Sequence, residues 1–397
     1  MNNKSFLKKH PKLAIVFFNL FCLFIIFIIF EIVLRLFTPA WLKYTMNYLK
    51  TGNGFRHASD ANWKITYKNG DFYSFTPGST FKIYHAEYEN TAHINNLGGR
   101  NTIPNEIADS NNIIPFTGDS FVIGVGVEDT ENIVSIAKKN MGLNFLNLGV
   151  TGSCLPNQRK IIDTRYSDLG KPPVVIFGFF LGNDFNDIRN VHLKIKTSAG
   201  PDTSLTDDNP LVSKNSFAWK VNNFINHNAI LKRSYVLQYI KQKIRNIKNK
   251  DKDKDFDHMD PVFHILDTRN TAFIQQARIL LDKEIDSLSK EPYKSIVILI
   301  PDRNQVDASI RKSMCSYYNL DEKSLALLLP NQILIEALNK YHIKYIDPTQ
   351  CIIKYAQAGK LYYTQDNHFT KLGQATISNC IQQELKSDLD QLGITKN

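Results

Sequence analysis

The spacing of apolar positions changes along this chain of 397 residues, and each change predicts a different kind of element. From Leu13 to Phe30 the side chains are uncharged and almost wholly apolar, and a helical pattern runs on to Leu36. Roughly 20 such residues cross the hydrocarbon core of a bilayer. A secretory signal has a shorter apolar region followed by a small-x-small cleavage site. Here the run continues into Glu31-Ile-Val-Leu-Arg35, an i,i+4 ion pair at its end. The pattern predicts an uncleaved transmembrane helix over 13–36. Lys4, Lys8, Lys9 and Lys12 precede it, so residues 1–12 are expected as a cytoplasmic tail. Arg35, Lys43 and Lys50 on the other side make that bias modest.

Residues 38–111 are rich in aromatics, with Gly and Pro between them. Alternating stretches at Asp71–Thr76 and Thr80–Tyr84 predict short strands of a β-rich extension. From 112 onward the pattern repeats as strand, loop, helix. Strand-like runs occupy Asn112–Thr117, Asn144–Leu148, Val174–Phe179, Lys294–Ile300 and Ile343–Ile346. Helical spacing follows at Thr130–Lys139, Leu155–Leu169 and Ile333–Tyr341. This alternation predicts an α/β domain over 112–397, a parallel sheet with helices on both faces. Pro115 removes a ladder donor from the first strand and predicts a bulge there.

An insertion at about 190–270 interrupts the alternation. Ser198–Asn215 is polar and turn-rich, whereas Phe217–Ile247 has helical spacing. Lys-Asn-Lys-Asp-Lys-Asp-Lys-Asp at 248–255 is low in complexity and reads as exposed. An insertion here emerges on the edge where parallel strands end, as a lid or substrate wall, or as an inert excursion.

The net charge of +10 is concentrated rather than even. Lys232, Arg233, Lys241, Lys243, Arg245, Lys248 and Lys250 occur without an acid among them from 231 to 250. Such a run attracts anionic surfaces or forms a solvated helix face. No nucleic-acid motif accompanies it, so no nucleic-acid partner is expected. Of five cysteines, Cys22 lies in the apolar segment as a small hydrophobe. Cys154, Cys315, Cys351 and Cys380 can pair in an oxidising compartment. None has the spacing of a zinc site.

Chemistry enters with four short pieces, most of them at the ends of those strands. Gly118-Asp119-Ser120 follows the first, Gly-Val-Thr-Gly at 149–152 the second, and Gly182-Asn183-Asp184 the third. Asp366-Asn-His368 follows the last at some distance. Each alone is an ordinary turn signal. Together they would share the carboxyl edge of a parallel sheet, where sites assemble. A serine hydroxyl attacks an acyl carbon only when a base takes its proton. His368 is the candidate base, and Asp366 the carboxylate that fixes its tautomer. An oxyanion needs fixed donors, for which the backbone N–H groups of Ser120 and Gly152 and the Asn183 amide are candidates. Asp184 and Asp187 read as caps of the turn after the third strand. His192, His258 and His342 have no carboxylate or motif in their neighbourhood that recommends them equally.

These residues resemble the SGNH (GDSL-type) hydrolase superfamily, whose four blocks contribute Ser, Gly, Asn and His. The resemblance spans about 112–385. More loosely, Asn95-Asn-Leu-Gly-Gly-Arg100 and Ile300-Pro-Asp-Arg-Asn-Gln-Val306 are similar to segments of bacterial members that carry a membrane anchor. The resemblance implies a flavodoxin-like three-layer α/β/α sandwich with a five-stranded parallel sheet. It also implies ester hydrolysis or acyl transfer with no metal or organic cofactor. Many esterases of the superfamily place two residues between the last Asp and His. Here one intervenes, with Gln365 three before His368. A single spacer is familiar among envelope polysaccharide O-acetylation proteins.

The function expected is a membrane-anchored serine ester hydrolase with its catalytic domain periplasmic or extracellular. Its substrate would be an acyl-ester small molecule or an acylated glycan of the envelope. The rival within catalysis is an acyltransferase that O-acetylates an envelope glycan. A non-catalytic envelope assembly or binding protein is the third reading, and it has no need of Ser120, Asn183, Asp366 and His368 together.

Overall fold

The alternation after residue 112 folds into one five-stranded parallel sheet flanked by helices. The computed structural model describes residues 11–38, 46, 54–57, 75–85, 87–103, 105–109, 112–197, 224, 228, 231–241, 260–364 and 366–394. The loop expected at Ser198–Asn215, the 248–255 segment, most of the 217–247 helix and most of the strand at Asp71–Thr76 fall outside them. The chain divides into two compact units, Asn53–Gly200 with Phe256–Asn397, and Met1–Gly52 with Pro201–Asp255.

In the larger unit the antiparallel strands β1 (Gly54–His57), β2 (Thr80–Tyr84) and β3 (Glu89–His93) form the β-rich extension. The parallel sheet is built from β4 (Ile114–Thr117), β5 (Phe145–Asn147), β6 (Val174–Phe180), β7 (Lys294–Ile300) and β8 (Lys344–Ile346). Their spatial order is β5-β4-β6-β7-β8. Counted within this sheet that is 2-1-3-4-5, the flavodoxin-like order, which reverses direction between β4 and β6.

The two apolar layers follow from the two-residue period of a strand. Val175, Phe177 and Phe179 with Val297 and Leu299 face one core, against the helices Leu155–Arg165, Asp184–Thr197, Thr271–Ser289 and Leu329–Lys340. Val174 and Ile176 with Ile296, Ile298 and Ile300 face the other, against Ile133–Met141 and Lys371–Gln391. Both faces of β6 are covered, hence its unbroken apolar sequence.

Pro115 makes no bulge, because the β4–β5 register runs through it without a skipped residue. The Ile114 N–H donates toward β5, to Asn144 O at 2.9 Å. By alternation the Pro115 nitrogen faces β6, whose pairing with β4 begins only at Phe116. No ladder bond is lost. Asp184 does cap the turn after β6, its side chain accepting from Phe180 N at 3.1 Å, and it also starts a 14-residue helix. Asn132 moves the start of the helix expected at Thr130 to Ile133, its side chain accepting from Val134 N and Ser135 N.

Cys351 and Cys380 form a disulfide with 6.0 Å between Cα atoms, while Cys154 and Cys315 are free and buried. The bridge joins the helices Thr349–Ala356 and Lys371–Gln391 and closes the segment that carries Asp366 and His368. Closing a loop of this length removes unfolded-state entropy corresponding to about 3–4 kcal/mol. The Cys351→Ser/Cys380→Ser variant is therefore expected to lose about 3 kcal/mol of unfolding free energy in urea titration. An unchanged midpoint would show the bridge to be energetically idle.

In the smaller unit Pro11–Leu36 is a single helix whose apolar side chains from Leu13 to Phe30 are mostly exposed. Over Lys12–Leu36 it is long and apolar enough to cross a membrane. At its end Glu31 pairs with Arg35 at 2.7 Å, as the i,i+4 spacing predicts. Glu31 also accepts from Tyr235 N and Val236 N, both at 3.0 Å, and from Ser234 Oγ at 2.8 Å. It thereby caps the helix over 235–241, satisfying N–H groups that have no intrahelical acceptor. Residues 234–236 of the insertion are thus fastened to the end of the apolar helix, through Leu34, Met46 and Val236 as well.

Candidate active site

Ser120 opens a four-residue helix, Ser120–Ile123, directly after β4. Asp119 caps it, its Oδ1 accepting from Phe121 N at 2.9 Å. The helix lies so close to the sheet that side chains beneath it are excluded. A Cβ at Gly149 would stand 2.3 Å from Ile123 N, and one at Gly178 2.4 Å from Val122 Cγ2.

Arg100 holds the far end of the same turn. It is fully buried and donates from Nη1 to Ile123 O and Gly124 O, at 2.9 and 2.6 Å. Its Nη2 donates to Val127 O at 2.6 Å, and its Nε to Asp129 Oδ1 at 2.7 Å. A buried guanidinium is tolerable only with its charge paired and its donors used. Arg100 meets both conditions and fixes where the Ser120 turn ends.

The second and third blocks sit on the strands either side. Val150 N and Ser153 Oγ both donate to Gly118 O, at 2.9 and 2.8 Å, drawing the loop after β5 against the first block. Gly152 is exposed, with φ of +71° and open space where a Cβ would be. Its positive φ, rather than a tight approach, is what calls for glycine. At the end of β6 the Phe180 ring stacks on Phe121 at 4.0 Å. Among the described residues, Asn183 Oδ1 is buried without a hydrogen-bond partner. Ser120, Gly152 and Asn183 thus stand at the carboxyl ends of the adjacent strands β4, β5 and β6. The Ser120 N–H is first in its helix and has no intrahelical acceptor.

The fourth block arrives on the loop before the helix Lys371–Gln391. Asp366 Oδ1 accepts from His368 Nδ1 at 2.5 Å and from the His368 backbone N–H at 3.0 Å. An Asp side chain that accepts from the N–H two residues on forms an Asx turn, and the same oxygen then meets the ring. The single spacer is thereby compatible with a fixed imidazole. With Nδ1 committed to Asp366, Nε2 is the nitrogen left to exchange a proton. The His368 ring lies 5.1 Å from the Phe121 ring, next to the nucleophile candidate. Ser120 Oγ itself is 3.5 Å from Asp119 Oδ2, and no hydrogen bond joins it to His368 among the described residues. Such bonds often tighten only once substrate is bound.

Three carboxyls here are driven in different directions. Burial pushes Asp366 up, but the His368 charge, its hydrogen bonds and the Tyr88 phenol outweigh this and hold it well below the usual carboxylate range. Burial pushes Asp119 up to about 6, against the Phe121 N–H and the His368 charge. Asp184 is pushed well above the ordinary range by burial and by the Asp119 charge. Asp184 accepts from Phe180 N at 3.1 Å and so braces the end of β6.

Other residues at this site carried no motif. Tyr88 donates its hydroxyl to Asp366 Oδ2. Glu87 accepts from Thr364 N and Asp366 N, at 2.8 and 3.0 Å. Arg303 Nη1 donates to Asp366 O at 3.1 Å, and Asn367 Nδ2 to Asp302 Oδ2 at 2.7 Å. The similarity noted for Ile300–Val306 was the only sequence signal for Asp302 and Arg303. Histidine pairings also escaped: His192 meets Glu284 at 2.7 Å and His93 meets Asp129 at 2.6 Å. Their partners lie far away in sequence.

No family model matches the chain, and no curated protein matches it in sequence. Solved structures similar to it include a member of the lipolytic protein G-D-S-L family from Veillonella parvula. That likeness has 13% identity, covers 69% of this chain and 98% of the other, and has a TM-score of 0.33. A lipase/acylhydrolase from Enterococcus faecalis shows 14% identity over 70% and 96%, with a TM-score of 0.35. A variant acetyl xylan esterase from Geobacillus stearothermophilus shows 10% over 70% and 96%, with a TM-score of 0.33. Likenesses this low in identity and score say nothing about what this chain acts on.

Proposed function

We propose that this chain is a serine ester hydrolase of the SGNH type, held to a membrane by its N-terminal helix. It would act through an acyl-serine intermediate on an acylated envelope or extracellular compound. The observation that carries the reading is the His368 ring, locked to Asp366 through Nδ1 and set beside the Ser120 turn. In this scheme His368 Nε2 takes the Ser120 proton as Oγ bonds to the ester carbonyl carbon. The carbonyl oxygen becomes an oxyanion facing the Ser120 and Gly152 N–H groups and the Asn183 amide. Each such donor contributes about 3 kcal/mol to transition-state stability. Collapse breaks the C–O bond to the alcohol, which leaves with the proton from His368. Water, deprotonated by His368, then attacks the acyl-serine and releases the acid.

A sugar hydroxyl in place of that water would make the same site an O-acyltransferase. The one-residue Asp–His spacing, familiar among envelope O-acetylation proteins, favours this second reading. Treating the full-length protein in detergent with a fluorophosphonate probe and mapping the adduct tests both readings at once. An adduct on any residue but Ser120 rejects the shared mechanism. Adding a glycan acceptor to an activated acetyl ester then separates them, since only a transferase yields acetylated glycan.

The length of the apolar helix and Lys4, Lys8, Lys9 and Lys12 before it support a catalytic domain outside the cytoplasm. A C-terminal alkaline phosphatase fusion is accordingly expected to be active in intact bacterial cells. An inactive phosphatase fusion beside a fluorescent GFP fusion reverses the orientation.

A further inference from the structure

We propose that the β-rich extension completes the catalytic centre, with Tyr88 and Glu87 as positioning residues for the Asp366–His368 pair. This rests on the serine hydrolase reading given above. The turn between β2 and β3 carries both residues. Asp366 has two carboxylate oxygens, and each is committed. Oδ1 holds His368 through ring and backbone, and Oδ2 holds the Tyr88 hydroxyl. A carboxylate bound at one oxygen swings about its Cβ–Cγ bond, and a donor on the other oxygen removes that freedom.

Glu87 works on the backbone of the same loop. Its two oxygens accept separately from Thr364 N and Asp366 N, so one side chain satisfies two backbone N–H groups of that loop. The turn itself is wedged in place. Tyr88 packs against Tyr363 at 4.7 Å and His85 at 5.2 Å, and the Tyr363 hydroxyl donates to Gly126 O at 2.6 Å. Gly126 leaves no room for a side chain, since a Cβ there would stand 2.7 Å from the Tyr363 ring. Beneath the sheet of the extension, Phe81, Ile83 and Ala92 share one core with Ile123, Val125 and Val150, from the Ser120 turn and the second block. One small sheet therefore touches the nucleophile turn, the second block and the His368 loop together.

The charged and titratable groups facing the pair are Tyr88 and Glu87 from the extension, Tyr363 from the loop, Asp119 from the Ser120 turn and Arg303 from behind. Burial and the Asp366 charge push the Tyr88 phenol well above its ordinary value, so it stays a donor at any working pH. The Tyr88 hydroxyl is one of the bonds that hold Asp366 in its charged form, so without it the carboxylate takes up a proton, and His368 loses its charged partner, at higher pH.

Tyr88→Phe keeps the ring and removes only the hydroxyl. In the full-length protein its rate of fluorophosphonate labelling at Ser120 is expected to fall about tenfold at neutral pH. The acid limb of the labelling-rate profile should move to higher pH. Tyr363→Phe loses only the hydroxyl's bond to Gly126 O and keeps the backbone N–H bond to His368 O at 3.0 Å, and its hydroxyl is not bonded to the Asp366 carboxylate, so it should keep the wild-type rate and profile. An unchanged rate and profile in Tyr88→Phe overturns the proposal. Equal slowing in both variants also overturns it, because seating of the turn rather than the Asp366 bond is then responsible. Glu87→Gln, which cannot accept from both N–H groups, should slow labelling without shifting the acid limb; a wild-type rate removes Glu87 from the proposal. A wild-type protein that never labels at Ser120 rejects the hydrolase reading itself, a result distinct from all of these.

Discussion

Ser120→Ala is expected to abolish fluorophosphonate labelling and to lower p-nitrophenyl acetate turnover by about 10⁴-fold or more, with the fold intact. The rate follows from chemistry, because no other group can form the acyl bond in the proposed scheme. The retained fold follows from local structure. Asp119, not Ser120, caps the helix, and Ser120 Oγ has only a 3.5 Å contact to lose. Alanine is also a good residue at the first position of a helix. Thermal unfolding of the variant should therefore stay within a few degrees of wild type. A variant that melts normally and still turns over the ester, or an adduct that moves to another residue, removes Ser120 from the mechanism.

Asp366→Asn should be nearly as damaging, at about 10³–10⁴-fold in kcat/KM on the same ester. That corresponds to about 4–5.5 kcal/mol of transition-state free energy. An amide places either a donor against His368 Nδ1 or a weak neutral acceptor. In the first case the ring keeps its proton on Nε2, where it cannot receive one from Ser120. The loss should not come from unfolding, because Glu87, Arg303 and the disulfide still hold the loop. His368→Ala measured beside it gives the reference for a missing base. A dead His368→Ala together with an Asp366→Asn loss under about tenfold would reduce the triad to a serine–histidine pair.

Much of this molecule was legible in consecutive residues. Within Lys294–Ile300 the last five residues, Ile296–Ile300, are apolar without a break and mostly β-branched, as a strand covered on both faces requires, and β7 has the expected bounds. Pattern and punctuation likewise placed β6 within one residue of Phe179, because burial and turn chemistry act over a few neighbours. The first three candidate blocks were legible as turns for the same reason, since each is a short strand-end turn, whereas the fourth lies on a loop well beyond β8.

What the sequence could not supply is whatever depends on how distant segments are seated. Tyr88 is one aromatic among many in 38–111, and its partner Asp366 lies 278 positions away. Nothing in spacing distinguishes it until the extension docks. The pairing of Cys351 with Cys380, out of four candidates, was decided when two helices were laid side by side. Pro115 misled for a related reason. A proline forbids a hydrogen bond on one side of a strand, and only the staggered start of β6 shows that no bond was due there. The sequence determined which pieces of chain become strands, helices and turns, since those rest on local periodicity and local donors. Which side chains then met across the sheet edge was decided by tertiary packing alone, because such contacts depend on positions in space that no local pattern encodes.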